Sequence, residues 1–274
     1  MKARLTFALP LYRAQDIAWL ALESLCRQEN IDFEWELIVI EESAPLAFGE
    51  DNIRAYEKRL AEVGCRTPIT YIGLSEWVPL AQKWHRAAQL ANSDGFLLAA
   101  GDDYANPRRL SETARLFSEG AEFVHTPLGY FYSLIQDTLC VYDHKNNKHP
   151  CGLDKAVLTH IIRNALPEGS RQSYHVDGWV FSKIRYFLGR NPSMLWDQTH
   201  SWKKGVFTDG MNNISFARRS WYNKTNPITP FRLPTEQEFS SLSDIVPKDI
   251  HSLISSVRSA SLIREPSRKD KDEI

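Results

Sequence analysis

Residues 78–103, VPLAQKWHRAAQLANSDGFLLAAGDD, decide the fold of this chain. Leu80, Trp84, Ala87 and Ala88 recur at the spacing of one helical face, so the first part reads as a helix with a buried stripe. The polar run Asn92-Ser93-Asp94 and Gly95 then break the pattern. Residues 96–100 are a short apolar run suited to a strand covered on both faces. That run passes directly into Gly101-Asp102-Asp103, which sets two carboxylates at a strand tip. Helix, buried strand and acidic turn in this order suggest an open α/β sheet, where ligands sit at the carboxyl ends of strands.

The same alternation extends outward on both sides. Residues 5–9 read as a strand, followed by Ile17, Leu20, Ala21, Ser24 and Leu25 on one helical face. Residues 36–40 form a second strand, Ile53, Tyr56, Leu60 and Val63 a second helical face, and residues 69–72 a third strand. Downstream, residues 106–118 read as a helix leading to a strand near residues 122–125. Beyond this the regularity weakens. Residues 129–142 are aromatic and β-prone, 143–150 form a polar loop, and 153–165 and 175–190 read as helices. Trp-rich, basic, irregular chain then runs to about residue 234. Pro247 can open a last helix with Ile250, Leu253, Ile254 and Val257 on one face, and residues 266–274 read as a charged, frayed tail. The expected architecture is α/β: a Rossmann-type, mostly parallel sheet with helices on both faces and a C-terminal helical extension.

Composition narrows the function classes. The chain has 274 residues, 43% of them hydrophobic and 24% charged, with a formal net charge of −1, which suits a sizeable core and excludes fibrous or disordered chains. No apolar run approaches the ~18 residues of a membrane span, and the start lacks a signal peptide's apolar stretch, so a cytoplasmic protein is expected. Cys26, Cys65, Cys140 and Cys151 have no C-x-x-C spacing, so they suggest neither a zinc site nor a redox pair.

Three strand-end loops carry the chemistry: Pro10-Leu11-Tyr12-Arg13, Glu41-Glu42-Ser43-Ala44-Pro45 and Gly101-Asp102-Asp103-Tyr104. The first lacks the glycines with which dinucleotide-binding and P-loop proteins bring backbone amides to phosphates. A diphosphate bound here would need another source of positive charge, and a divalent cation on Asp102 and Asp103 supplies it. One or two carboxylates suffice for Mg2+ or Mn2+, because the diphosphate and water complete the shell. Asp102-Asp103 reads equally as a turn and helix cap, and Glu41-Glu42 as solvated loop charge.

The runs LTFALPLY, ALESLCRQ, ELIVIEES and VPLAQKWHRAAQLANSDGFLLAAGDD, in that order, resemble the nucleotide-binding half of family 2 GT-A glycosyltransferases over about residues 4–126. The resemblance implies a donor-binding half at residues 1–105, an acceptor-binding half at 106–234, a helical extension at 235–265 and a tail at 266–274. It implies that Pro10 and Tyr12 flank the nucleobase, that Glu41 or Glu42 bonds base or ribose, and that Asp103, with Asp102 beside it, holds the metal and diphosphate. The donor would be a nucleotide-diphospho-sugar, with a UDP-sugar favoured, and the cofactor Mn2+ or Mg2+. Four features depart from the family. Arg13 stands where Asn is usual, Glu replaces the Asp pair, Trp84-His85 stands for Arg-Asn or Trp-Asn, and Ala100 occupies the first acidic position of the D-x-D form.

In the second half, His175-Val176-Asp177-Gly178-Trp179 looks like the acidic motif that supplies the family's catalytic base, which makes Asp177 the group that would take the acceptor hydroxyl proton. Asp177 reads equally as a helix cap. His200 and Asp209 are weaker candidates for a further metal ligand, and Trp179, Trp196, Trp202 and Trp221 for a sugar-stacking platform. From residue 177 to 232, nine basic residues face three acidic ones, a net +6 in a chain of −1. A basic, Trp-rich stretch suits either a solvated face or an anionic acceptor such as DNA or a phosphorylated glycan or lipid. Two other classes remain: a nucleotide-sugar-binding module without transfer, and a nucleotidyltransferase, for which the glycine-free loop after the first strand is unsuited.

Overall fold

A computed structural model describes residues 3–42, 45–65, 67–125, 128–133, 138–143, 155–172, 176–190, 214–217 and 231–236. The first hundred residues fold as strands β1 (Leu5–Leu11), β2 (Trp35–Glu42), β3 (Ile69–Leu74) and β4 (Gly95–Leu98), with helices α1 (Ala18–Cys26), α2 (Glu50–Glu62) and α3 (Leu80–Leu90) between them. All seven residues of β1 and seven of the eight of β2 are buried, as expected of strands covered on both faces. In β3 only Ile69 and Leu74 are buried, which suits a strand at the sheet edge.

The remaining elements are β5 (Asp103–Tyr104), α4 (Arg109–Ser118), β6 (Phe123–Val124), β7 (Leu128–Ser133), β8 (Thr138–Asp143), β9 (Lys155–Leu158), α5 (Thr159–Ala165), α6 (Val176–Leu188), β10 (Ile214–Ala217) and β11 (Phe231–Arg232). The main sheet runs β3-β2-β1-β4-β9-β6, with β1 parallel to both β2 and β4 and β2 parallel to β3. From β1 the chain steps one way to β2 and β3, then crosses back over β1's far side to β4. Right-handed crossovers therefore send α1 and α2 to one face and α3 to the other. The packing agrees: α1 touches α2, whereas α3 packs with α5 and α6.

One helical expectation fails. Residues 153–165 read as a single helix, but Lys155–Leu158 is a strand, antiparallel to β4 on one side and β6 on the other, and the helix spans Thr159–Ala165 among the described residues. A four-residue apolar run has no resolvable period; two waiting strand edges decide its conformation. Parallel β1–β4 thus gain an antiparallel neighbour from the second half of the chain.

A second sheet, β11-β8-β7-β10-β5, also lies beyond the sequence reading. The β-prone stretch becomes the hairpin β7–β8, pairing Tyr130 with Val141, while β10 and β11 form within chain that reads as irregular. Leu20, Tyr104, Tyr130, Val141 and Ile214 make the small core between α1 and this sheet. Ala18, Ala21, Leu22 and Leu25 of the same helix join the main core, so α1 is apolar nearly all round. Among the described residues no helix is long and apolar enough to cross a membrane. The expected helix after Pro247 and the tail 266–274 lie outside the described residues.

Candidate functional site

The strand order reverses between β1 and β4, and in an open sheet this switch point leaves a crevice at the carboxyl ends. The β1–β4 pairing ends at Ala8–Leu98, with a last bond from the Ala99 amide to the Ala8 carbonyl at 3.1 Å. β1 continues along β2 to Leu11–Glu41. Pro10, two residues after Ala8, turns its nitrogen toward the side that β4 has left. Its missing N–H is therefore lost where no ladder partner remains.

Gly101 lies where the acidic turn meets the end of β1. A Cβ there would lie 2.6 Å from Leu11 Cδ2 and 3.7 Å from Ala14 Cβ, so the acidic turn and the loop after β1 are in direct contact only because residue 101 is glycine. Asp102 follows, half-buried, and Asp103 is 4% exposed at the start of β5, paired with Ser215. The second sheet thus anchors the acidic turn through β5.

Glu41 and Glu42 are both buried. The Glu41 carboxylate accepts the amides of Phe48 at 2.7 Å and Gly49 at 2.9 Å, at the amino-terminal end of α2, and the Tyr71 hydroxyl at 3.1 Å. Burial and the neighbouring carboxylate push the Tyr71 pKa up to about 12. Glu42 accepts the Val78 amide at 3.2 Å and forms a close ion pair with Lys83. Both acids hold loops to the sheet from within the protein.

Lys83 is the residue that sequence reasoning missed. It is 3% exposed, bonds the Leu11 carbonyl at 2.6 Å as well as Glu42, and lies 5.7 Å from the centre of the Tyr12 ring. Burial pulls its pKa below the ordinary lysine value, against the raising effect of Glu42. The available signal was its spacing: Lys83 and Ala87 are four apart, on the stripe with Trp84 and Ala88. A lysine in an apolar stripe calls for a buried partner. Above it, Tyr12 is 50% exposed, and the Arg13 guanidinium lies 5.4 Å from the same ring.

Asp177 sits in the first turn of α6 and forms an ion pair with fully buried Lys155. Lys155 begins β9 opposite Leu98, the last residue of β4. The antiparallel insertion therefore sets Asp177 at the same sheet end as the acidic turn. Of the other expectations, His200, Asp209, Trp196, Trp202 and Trp221 lie outside the described residues, as do Lys203, Lys204, Arg218, Arg219 and Lys224. Trp179 is half-buried, with Lys183 5.5 Å from its ring centre, and Arg190 makes a two-bond pair with Glu122 at 2.7 Å. Among the described residues no three His, Cys, Asp or Glu side chains form a metal cluster.

No protein-family model matches the chain. A search of curated proteins gives no significant match either. Solved structures do match. Residues 1–349 of TarS from S. aureus, in complex with UDP-GlcNAc, align with TM-score 0.55 and 13% identity over 94% of this chain and 73% of that one. The mannosyltransferase PcManGT from Pyrobaculum calidifontis, in complex with GDP-Man and Mn2+, aligns with TM-score 0.50 and 10% identity over 97% of this chain and 77% of that one. Identities this low speak for architecture alone, and that architecture is a mixed α/β fold of the GT-A glycosyltransferase type.

Proposed function

We propose that this chain is a glycosyltransferase that moves a sugar from a nucleotide-diphosphate donor to an acceptor hydroxyl by a single displacement with inversion. The observation that carries this reading is the crevice between β1 and β4. Tyr12 stands on one side of it, Asp102 and Asp103 on the other, and Asp177 at the same sheet end. The fold supports it too, since the two similar structures were solved with UDP-GlcNAc and with GDP-Man and Mn2+. A UDP-sugar is the favoured donor.

A divalent metal belongs to this reading, and the donor set fits one. Asp102 and Asp103 offer hard oxygens at one strand end, and Mg2+ or Mn2+ would take its remaining ligands from phosphate and water. Held by Asp103 with Asp102, the metal would offset charge on the departing nucleoside diphosphate. The chain's own residues do the rest. Tyr12 offers an exposed ring for the base, and Pro10 shapes the strand end beneath it. Asp177, fixed by Lys155, takes the proton from the attacking hydroxyl as the bond to the sugar forms. The excess of basic residues between 177 and 232 supports an anionic acceptor, whose KM should then rise steeply with salt.

A thermal-shift panel of nucleotide sugars, with and without Mn2+, tests the donor reading. A ligand at 100 times its Kd stabilises the native state by about 2.7 kcal/mol, worth several degrees in Tm for a chain of this size. The shift should require Mn2+ and vanish in Asp103→Ala. A flat panel refutes the donor site; binding without transfer to any acceptor leaves a silent nucleotide-sugar module.

A further inference from the structure

The loop after β1 contains a backbone anomaly that the donor site as described does not use. Arg13 has φ 48°, in the left-handed region that residues with a Cβ avoid. Among the described residues the other such non-glycine is Asn30 at φ 57°, a residue type that adopts this region readily. Arginine has no such ease. The loop around it is pinned at both ends. Lys83 holds the Leu11 carbonyl at 2.6 Å, the Gln15 amide bonds the Leu46 carbonyl at 3.0 Å, and Leu11 and Ala14 abut Gly101. The chain turns at residue 13, and the turn leaves Arg13 exposed, between Leu11 and Ala14, the two residues that abut Gly101 of the acidic turn.

Charge gives that position a purpose. A nucleoside diphosphate sugar brings about two negative charges, and a divalent cation held by Asp102 and Asp103 would have much of its own charge met by their carboxylates. Lys83 cannot serve, because it is buried and committed to Glu42 and the Leu11 carbonyl. The loop has no glycine to form an amide cradle. Arg13 has no carboxylate partner among the described residues; its one aromatic neighbour is Tyr12, with the ring centre 5.4 Å from the guanidinium carbon.

We propose that Arg13 is a diphosphate-binding residue of the donor site, held in a strained turn so that its guanidinium meets the phosphates beside Tyr12. Strain kept at a residue with a better-tolerated substitute available points to selection for the side chain. Planar, multi-donor guanidinium suits two phosphate oxygens at once, so lysine is an imperfect replacement. This proposal rests on the donor-site reading above.

The test compares wild type with Arg13→Gly, Arg13→Asn and Arg13→Lys by titration calorimetry in Mn2+, using UDP, GDP, CDP, ADP and TDP with the matching nucleosides as competitors, together with Tm. Gly and Asn both accept a left-handed backbone, so these variants should melt at or above the wild-type temperature. Their affinity for the preferred nucleoside diphosphate should fall about tenfold or more, as for a lost charge-assisted bond, while the nucleoside competes as before. Arg13→Lys should lie between. Wild type binding a diphosphate that Arg13→Gly and Arg13→Asn bind within twofold overturns the Arg13 assignment and leaves the donor site standing. A fall in Tm for both variants overturns it too, by making Arg13 a structural support. No binding of any diphosphate by wild type refutes the donor site itself, and the assignment with it.

Discussion

Replacing Lys83 with Met tests whether the ends of β1 and β2 are held together by charge. Methionine keeps the unbranched apolar stem and removes the ammonium from a site that is 3% exposed. Glu42, 2% exposed, then loses its ion pair and retains the Val78 amide at 3.2 Å on its other oxygen. The Leu11 carbonyl loses the Lys83 bond of 2.6 Å. Breaking a buried pair on one side costs about 3–5 kcal/mol, mostly the penalty of the orphaned charge. Against a total stability of about 5–15 kcal/mol that is a large share. With a urea m-value of about 2–3 kcal/mol/M, the midpoint of equilibrium unfolding should fall by about 1–2 M. The double variant Glu42→Leu with Lys83→Met removes both charges and should recover most of the loss, since apolar replacements of buried pairs are often neutral or better. The cycle should therefore give a coupling of at least about 2 kcal/mol. A single variant that unfolds within about 0.3 M of wild type, or a double variant no more stable than the single, would refute the reasoning. Because the ammonium lies 5.7 Å from the Tyr12 ring centre, the recovered double variant should still bind nucleoside diphosphate more weakly than wild type, which calorimetry can read.

Gly101→Ala should destabilise the protein by about 1–3 kcal/mol in urea unfolding, because the added Cβ meets Leu11 Cδ2 at 2.6 Å in a packed interior. An unchanged midpoint would mean that Leu11, 1% exposed, can move aside freely. Asp177→Asn should keep nucleoside diphosphate affinity while slowing sugar transfer by about 100-fold or more, the usual worth of a positioned base; near-normal turnover would leave Asp177 only its ion pair with Lys155. Burial and the Glu41 carboxylate push the Tyr71 pKa up to about 12 from the ordinary tyrosine value of about 10, so the proton is held more tightly in the folded state. Its contribution is therefore present below about pH 10 and is lost as pH rises toward 12, and Tyr71→Phe should shallow that alkaline fall in the urea midpoint. Tyr56, also pushed up to about 12, keeps part of the slope in the variant.

The elements with long, regular patterns could be read before folding was considered. β1, β2 and β3 and helices α1 to α3 lie where the apolar runs and helical faces are, because each buries a face whose period is written locally. β4 is Gly95–Leu98, displaced by one or two residues from the expected 96–100. For the site, the strand-end rule singled out the Pro10, Glu41 and Asp102 loops, and the structure draws the first and third together at Gly101.

What escaped local reading was whatever depends on a distant partner. Lys155–Leu158 is a strand because β4 and β6 offer edges on both sides, and no local period could announce that. The two-residue strands β5 and β11 exist only as additions to neighbours. Whether Glu41 and Glu42 were loop charge or buried anchors depended on Phe48, Gly49, Tyr71 and Lys83, up to 41 residues away. The sequence by itself determined the parallel α/β sheet and the acidic turn, since apolar periodicity and turn chemistry are properties of adjacent residues. Tertiary structure alone decided which buried charges pair, how Arg13 is turned outward, and that Asp177 shares a sheet end with Asp102 and Asp103, because burial, ion pairing and strand insertion are energies of contact between segments far apart in the chain.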